Sequence, residues 1–300
     1  MINTPDNRGP EGITVHNMKV LMGDSAFLID TGSHSILYDS GFGFTGFQVA
    51  EKIKAYLKER SLDYIFLTHS HYDHALGSAY ILRYYPNAKV VAGEYAAGIF
   101  KREGALRVMK ELDNTHALSH GVTDYPFLGS ELRVDIPVKD GDIVTVGDLN
   151  FEVLNLPGHT KCSVGYYCKE KKLFLGSETL GVYNGDYDIF PSYLVGYQMA
   201  LDSMDRVSAY DIEYLLAPHM GILSAEETKF FLANMKKASV SFAENIVRML
   251  SEGKTTEDVI DDFKARFWHG SAVELYPLAA LRLNTTIMTD LIKKELMGIS

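Results

Sequence analysis

Residues 68–74 read THSHYDH, which places His69, His71, Asp73 and His74 within seven positions of one another. Lone histidines are mostly solvated or satisfied side chains. A cluster is different. Along an extended loop alternate side chains point the same way, so His69, His71 and Asp73 converge on one point while His74 opens whatever follows. Protonated together, such groups repel one another, and a cation is their natural neutraliser.

The flanks define the loop's place. DYIFLT (63–68) reads as a short buried strand running into it, and ALGSAYILRYY (75–85) reads as a helix stopped by Pro86. AKVVAG (88–93) is the next strand, so the order is strand, loop, helix, strand, the signature of an α/β fold. Upstream, SAFLID and SILYDSG form a hairpin about the turn TGSH, and Phe47, Ala50, Ile53 and Leu57 mark a helix. Residues 94–120 read as helical and peripheral; DIVTVGDLNFEVLNL and SVGYYCKEKKLFLG alternate as antiparallel strands. From Ser224 the pattern changes: Phe231, Met235, Ala238, Phe242, Ile246 and Met249 recur at helical steps, a second helix carries Val259, Phe263 and Phe267, and a third begins at Pro277. The expected organisation is a catalytic unit over residues 1–223 and a helical extension over 224–300.

Composition narrows the function. With 46% hydrophobic and 23% charged residues, the chain of 300 residues is an ordinary globular sequence. A net charge of −10 argues against phosphate-backbone binding, so no nucleic-acid partner is expected. No apolar run suits export or a bilayer, so the expectation is a cytoplasmic protein without a membrane partner. Cys162 and Cys168 lack C-x-x-C spacing, and any metal must use nitrogen and oxygen.

Further donors lie downstream, each where a strand runs out: His159 in LPGHT, Glu178 in LFLGSETLG and His219 in LLAPHMG. With these, the pattern resembles the metallo-β-lactamase fold, whose hydrolases carry H-x-H-x-D-H, a histidine in a G-H-T stretch, a bridging acid and a late histidine. The resemblance covers residues 12–223 and implies an αββα sandwich. It implies that His69, His71 and His159 hold one divalent ion and that Asp73, His74 and His219 hold a second. A bridging carboxylate and hydroxide would join them, with zinc as the first expectation and iron or manganese as alternatives. ILYDSG is similar to the family's strand and turn, with Asp39 orienting a ligand histidine from behind. The chain departs at the bridge, where GSET stands for the usual G-D-T. A serine is a poor ligand, so Glu178 is the expected bridge.

The resemblance thus implies a binuclear hydrolase of a small, anionic ester, thioester or phosphoester, with Asp73 or a metal-bound water also moving a proton to the leaving group. A β-lactam substrate is disfavoured by the start of the chain. A di-iron oxygen or nitric-oxide reductase is the first alternative, opposed by His71, where that branch has glutamate; a metal-binding signalling protein is the second. The extension is distantly similar to the helices that restrict entry in a quinolone-signal response thioesterase, which implies a lid or a homodimer element. Tyr183, Tyr187, Tyr193, Tyr197 and His269 are expected to wall a substrate pocket. His116 and His120 are read as a solvated helix face, His16 and His34 as turn residues, Lys161 as an exposed loop lysine, Cys162 and Cys168 as small strand residues and Trp268 as core.

Overall fold

A computed structural model describes residues 9–270 and 272–299; the outermost ends of the two expected units, at 1–8 and 300, lie outside them. The first sheet takes its strands in chain order: β1 (Thr14–Asn17), β2 (Phe27–Asp30), β3 (Ser35–Tyr38), β4 (Tyr64–Phe66), β5 (Lys89–Gly93) and β6 (Ile136–Val138). β1–β2–β3 is an antiparallel meander, and β3 to β6 run parallel. The parallel steps need crossovers, supplied by α1 (Gly46–Leu57) and by α2 (Tyr72–Ala75) with α3 (Gly77–Tyr84). α4 (Glu94–Ile99) and α5 (Glu103–Ser119) supply the last. The second sheet contains β7 (Ile143–Val146), β8 (Leu149–Asn155), β9 (Val164–Cys168) and β10 (Leu173–Leu175) in an antiparallel run. A ribbon of β11 (Val182–Tyr183) and β12 (Ile189–Phe190) and helix α6 (Tyr197–Val207) intervene before β13 (Tyr214–Ala217), parallel to β10, and β14 (Gly221–Ile222).

Strand alternation builds the layers. Phe27 and Ile29 of β2, Phe66 of β4, Phe151 and Val153 of β8, Tyr166 of β9 and Leu173 and Leu175 of β10 meet between the sheets. Leu28 and Ile65 point the other way, onto Val49 and Ile53 of α1 and Ile81 of α3. Leu154, Tyr167 and Phe174 point outward from the second sheet onto Leu201 and Met204 of α6. The result is helix, sheet, sheet, helix, the αββα sandwich that the motifs imply. Each fully buried Leu, Ile or Phe on these faces contributes about 1.5–3 kcal/mol.

The C-terminal helices belong to the outer layer. α7 (Ala225–Ser251) starts at Ser224 in a capping box with Glu227, and α8 (Thr256–Phe267) repeats the device with Thr255 and Asp258. α9 (Ala272–Leu275) and α10 (Leu278–Leu296) follow, the latter behind Pro277. Phe231, Met235 and Phe242 of α7 and Leu281 and Met288 of α10 share one apolar cluster with Phe174 and Leu215.

Two minor expectations are corrected. His16 lies in β1 opposite Leu28, because the edge strand extends through Asn17. His116 is 6% exposed and stacks on Phe42 at 4.4 Å. It lies on the buried stripe of α5 with Met109, Asp113 and Ala117, a stripe whose two polar members disguise it as a wet face.

Candidate metal centre

Every donor sits where a strand ends, and the topology brings those ends together. β3 and β4 are parallel neighbours, so Asp39, just past β3, lies beside Thr68, just past β4. β10 and β13 are likewise parallel, which puts Glu178 and His219 at one edge of the second sheet. Cross-sandwich bonds fix the two edges: Tyr38 donates to the Gly176 carbonyl at 2.8 Å, Tyr166 to Leu67 at 2.8 Å, and Val164 N–H to the Thr68 carbonyl at 2.9 Å.

His69, His71, His159 and Glu178 form one group of convergent donors, and Asp73, His74 and His219 form a second, the donor atoms within each group lying within 4.8 Å of one another. Glu178 faces both. Its Oε2 is 2.7 Å from His159 Nε2 and 3.7 Å from His69 Nε2, while its Oε1 is 3.0 Å from His219 Nε2. Asp73 Oδ2 lies 3.5 Å from His74 Nε2 and 3.9 Å from His219 Nε2.

Four of the imidazoles are oriented from behind. His74 Nδ1–H donates to Asp39 Oδ2 at 2.7 Å, His159 Nδ1–H to the Ser192 carbonyl at 2.9 Å and His219 Nδ1–H to the Gly23 carbonyl at 3.0 Å. His69 Nδ1 lies 3.0 Å from Thr68 Oγ1, whose own proton goes to Asp39 at 3.0 Å, so the histidine is the donor there. With each Nδ1 carrying the proton, each Nε2 presents a lone pair to the interior. Asp39 gathers this scaffold by also accepting from Thr68 N–H at 2.8 Å and Ser25 Oγ at 3.0 Å, from a backbone held at φ 52°. His219 is likewise held at φ 63°, a left-handed conformation that a branched or bulky residue rarely adopts.

The residues fit a metal. Among the described residues His69 Nε2 and His74 Nε2 are fully buried with no hydrogen-bond partner, a costly arrangement unless something accepts those lone pairs. His159 Nε2 and His71 Nδ1 face each other at 3.0 Å, as two ligands of one ion do. Titration agrees. Burial and then the neighbouring imidazoles hold His69 well below its ordinary 6.5, and burial followed by His159 pushes His71 down to about 3, so both are neutral donors. Burial opposes charge on His74 as well, yet Asp73, Asp39 and Glu178 outweigh it and raise this histidine to about 10. Surroundings that hold a proton this firmly suit a cation. Burial raises Asp73, while Glu178, despite its burial, is kept well below its usual range by His159 and His219.

The aromatic stretch is placed elsewhere. Tyr183 of β11, Tyr193 of the loop after β12 and Tyr197 at the start of α6 are buried in the apolar cluster of the outer helix layer. Tyr187 is exposed and packs its ring on Phe230 at 5.2 Å; His269 is exposed and bonds the Arg266 carbonyl at 2.8 Å. Trp268 packs against the same cluster. Sequence reading missed Gly23 and Ser192, whose carbonyls carry no residue signature, and Lys19, whose Nζ donates to the His219 carbonyl at 2.5 Å. Burial lowers this lysine to about 8.

The model of the metallo-beta-lactamase superfamily matches residues 22–219. Glyoxylase B2 of Dictyostelium discoideum is 35% identical over 141 residues, covering 46% of this chain and 44% of that protein. The acyl-coenzyme A thioesterase MBLAC2 of Gallus gallus is 24% identical over 182 residues, covering 58% of this chain and 62% of that protein. The chain thus spans about half the length of these relatives. A metallo-beta-lactamase family protein of Thermus thermophilus superposes with a TM-score of 0.59 at 19% identity, covering 94% of this chain and 88% of that one, and so shares the fold.

Proposed function

The chain belongs to the metallo-beta-lactamase superfamily, and from that premise we propose that it is a binuclear metal-dependent hydrolase of acyl thioesters. The observation that carries the reading is Glu178, which turns one carboxylate oxygen to His159 and the other to His219 and so touches both donor groups. His69, His71 and His159 would hold one divalent ion and Asp73, His74 and His219 the other, with Glu178 between them. Ions held there supply Lewis acidity and bring the pKa of a water toward about 7.

The chain's own residues do the rest. The buried histidines fix the donor lone pairs before substrate arrives, so no reorganisation is needed during the reaction. Asp73, with 20% of its side chain exposed, is the open carboxylate of the site and stands where a proton passes to the leaving group. Glu178, 3% exposed, is shielded from water and keeps its charge. Thioesters are favoured among ester substrates because MBLAC2, by its name, is an acyl-coenzyme A thioesterase.

The test is turnover by the zinc-loaded chain on acyl-coenzyme A and acyl-glutathione thioesters, with lactones and phosphodiesters as controls and His71→Ala as the blank. Thioester hydrolysis lost in the His71 variant is expected. Should no thioester be cleaved in a His71-dependent way, the reading fails.

A further inference from the structure

His219 stands at the centre of a three-residue turn. Its φ is 63°, and Met220 N–H closes the turn on the Pro218 carbonyl at 2.7 Å. A tight turn of this hand is rare and strained, and it persists where the surroundings hold it. The holding comes from one segment, residues 18–26 between β1 and β2. The Gly23 carbonyl accepts the imidazole Nδ1–H at 3.0 Å, Ser25 Oγ accepts the backbone N–H at 3.5 Å, and Lys19 Nζ donates to the backbone carbonyl at 2.5 Å. Ser25 N–H also reaches the Asp73 carbonyl at 3.4 Å. The segment thus grips two members of the second donor group, whereas the first group is propped by Ser192 and Thr68.

Lys19 is the charged grip. Its own N–H donates to Asn17 Oδ1 at 2.9 Å and its carbonyl accepts from Lys52 Nζ at 2.5 Å, so the backbone from which the side chain springs is fixed. The ammonium lies 5.8 Å from the centre of the Phe27 ring and donates a second bond, to the Met22 carbonyl at 3.1 Å. It therefore ties the backbone of His219 to the peptide that precedes Gly23, the residue on which the imidazole is anchored. Asp24, fully buried, sets the shape of the segment: Oδ2 accepts from Val20 and Leu21 N–H at 2.8 and 2.9 Å, and Oδ1 from Phe42 N–H at 3.1 Å and Thr45 Oγ1 at 2.8 Å.

Packing alone would be served by methionine, since withdrawing an ammonium from water is costly unless its protons find acceptors. Here they do, and a bond from a charged donor is roughly twice as strong as a neutral one. We propose that Lys19 is a positioning residue for the second metal ion, its ammonium clamping His219 in the strained turn from which the imidazole reaches that ion. This rests on the two-ion reading above and is independent of which ester is cleaved.

Lys19→Met tests it, because the apolar stem stays and the donor goes. Zinc uptake by the full-length protein and its variant is followed ion by ion in chelator competition, and cobalt(II) replaces zinc for visible spectra that report the ligand geometry at each ion. One step should lose about tenfold in affinity with a changed spectrum, while the other keeps its spectrum and stays within about threefold of the parent. The loss should remain in a His71→Ala background, which disables the first group. Both steps weakened alike, as a general packing defect would give, or a loss that vanishes in that background overturns the proposal. Should Lys19→Met not fold, Lys19→Gln, whose amide falls one atom short of the carbonyl, is judged by the same outcomes. A parent that takes up a single equivalent removes the two-ion reading and the proposal with it; a parent that takes up two, matched by its variant at both steps, removes the proposal alone.

Discussion

Replacing Asp39 by asparagine should loosen one metal ion and leave the other nearly untouched. Asp39 accepts from His74 Nδ1, Thr68 N–H, Thr68 Oγ1 and Ser25 Oγ at 2.7 to 3.0 Å, entirely out of water. Asparagine keeps the shape and tolerates the φ of 52° better than any other side chain but glycine. It has only one acceptor oxygen, however, and Thr68 N–H and Oγ1 claim it at Oδ1. The amide NH2 then faces His74 and forces the imidazole proton onto Nε2, the atom aimed at the second donor group. Losing a partner of this kind costs about 10–100-fold in metal affinity, or roughly 1.4–2.7 kcal/mol. Chelator competition with zinc, read ion by ion, should show that loss in the weaker step while the stronger step moves by less than threefold. If both ions are held as tightly as in the parent, or both are lost together, the division into two groups is wrong.

Other consequences are as definite. Glu178→Gln removes the charge shared by the two donor groups; bound zinc should fall from two equivalents toward one, and hydrolysis by about 100-fold, measured by metal analysis and steady-state assay. Gly77→Ala would place a Cβ 1.9 Å from the Ser40 carbonyl oxygen, a backbone atom that cannot swing away. The expected cost is about 2 kcal/mol or more by urea denaturation, with weaker zinc binding because Ser40 also grips the His74 carbonyl at 2.7 Å. His116, pushed down to about 4 by burial and then His120, folds in its neutral form, so its contribution is complete above pH 6.5 and is lost as pH falls toward 4. His116→Leu should flatten the acid loss of stability in that window by about 2 kcal/mol, after discounting for its partial contact with solvent; equal pH slopes in the two proteins would refute this.

What could be read from the sequence follows a physical rule. The loop at 68–74 was legible because its donors are neighbours along the chain, and His159, Glu178 and His219 were legible because each follows an apolar strand by a few residues. The layers were legible from alternation, as in Phe27, Leu28 and Ile29, which face opposite sides of one sheet. Supports that act through carbonyls, Gly23 and Ser192, leave no trace in residue type. The aromatic stretch misled because a run of tyrosines suits a pocket wall and a packed layer equally well.

The most direct measurement is thioester turnover followed as zinc is added, equivalent by equivalent, to the metal-free chain. Activity that climbs to its plateau only as the second equivalent binds is the predicted result. A chain that takes up two equivalents and cleaves no thioester, or that reaches full rate with one, would contradict the account.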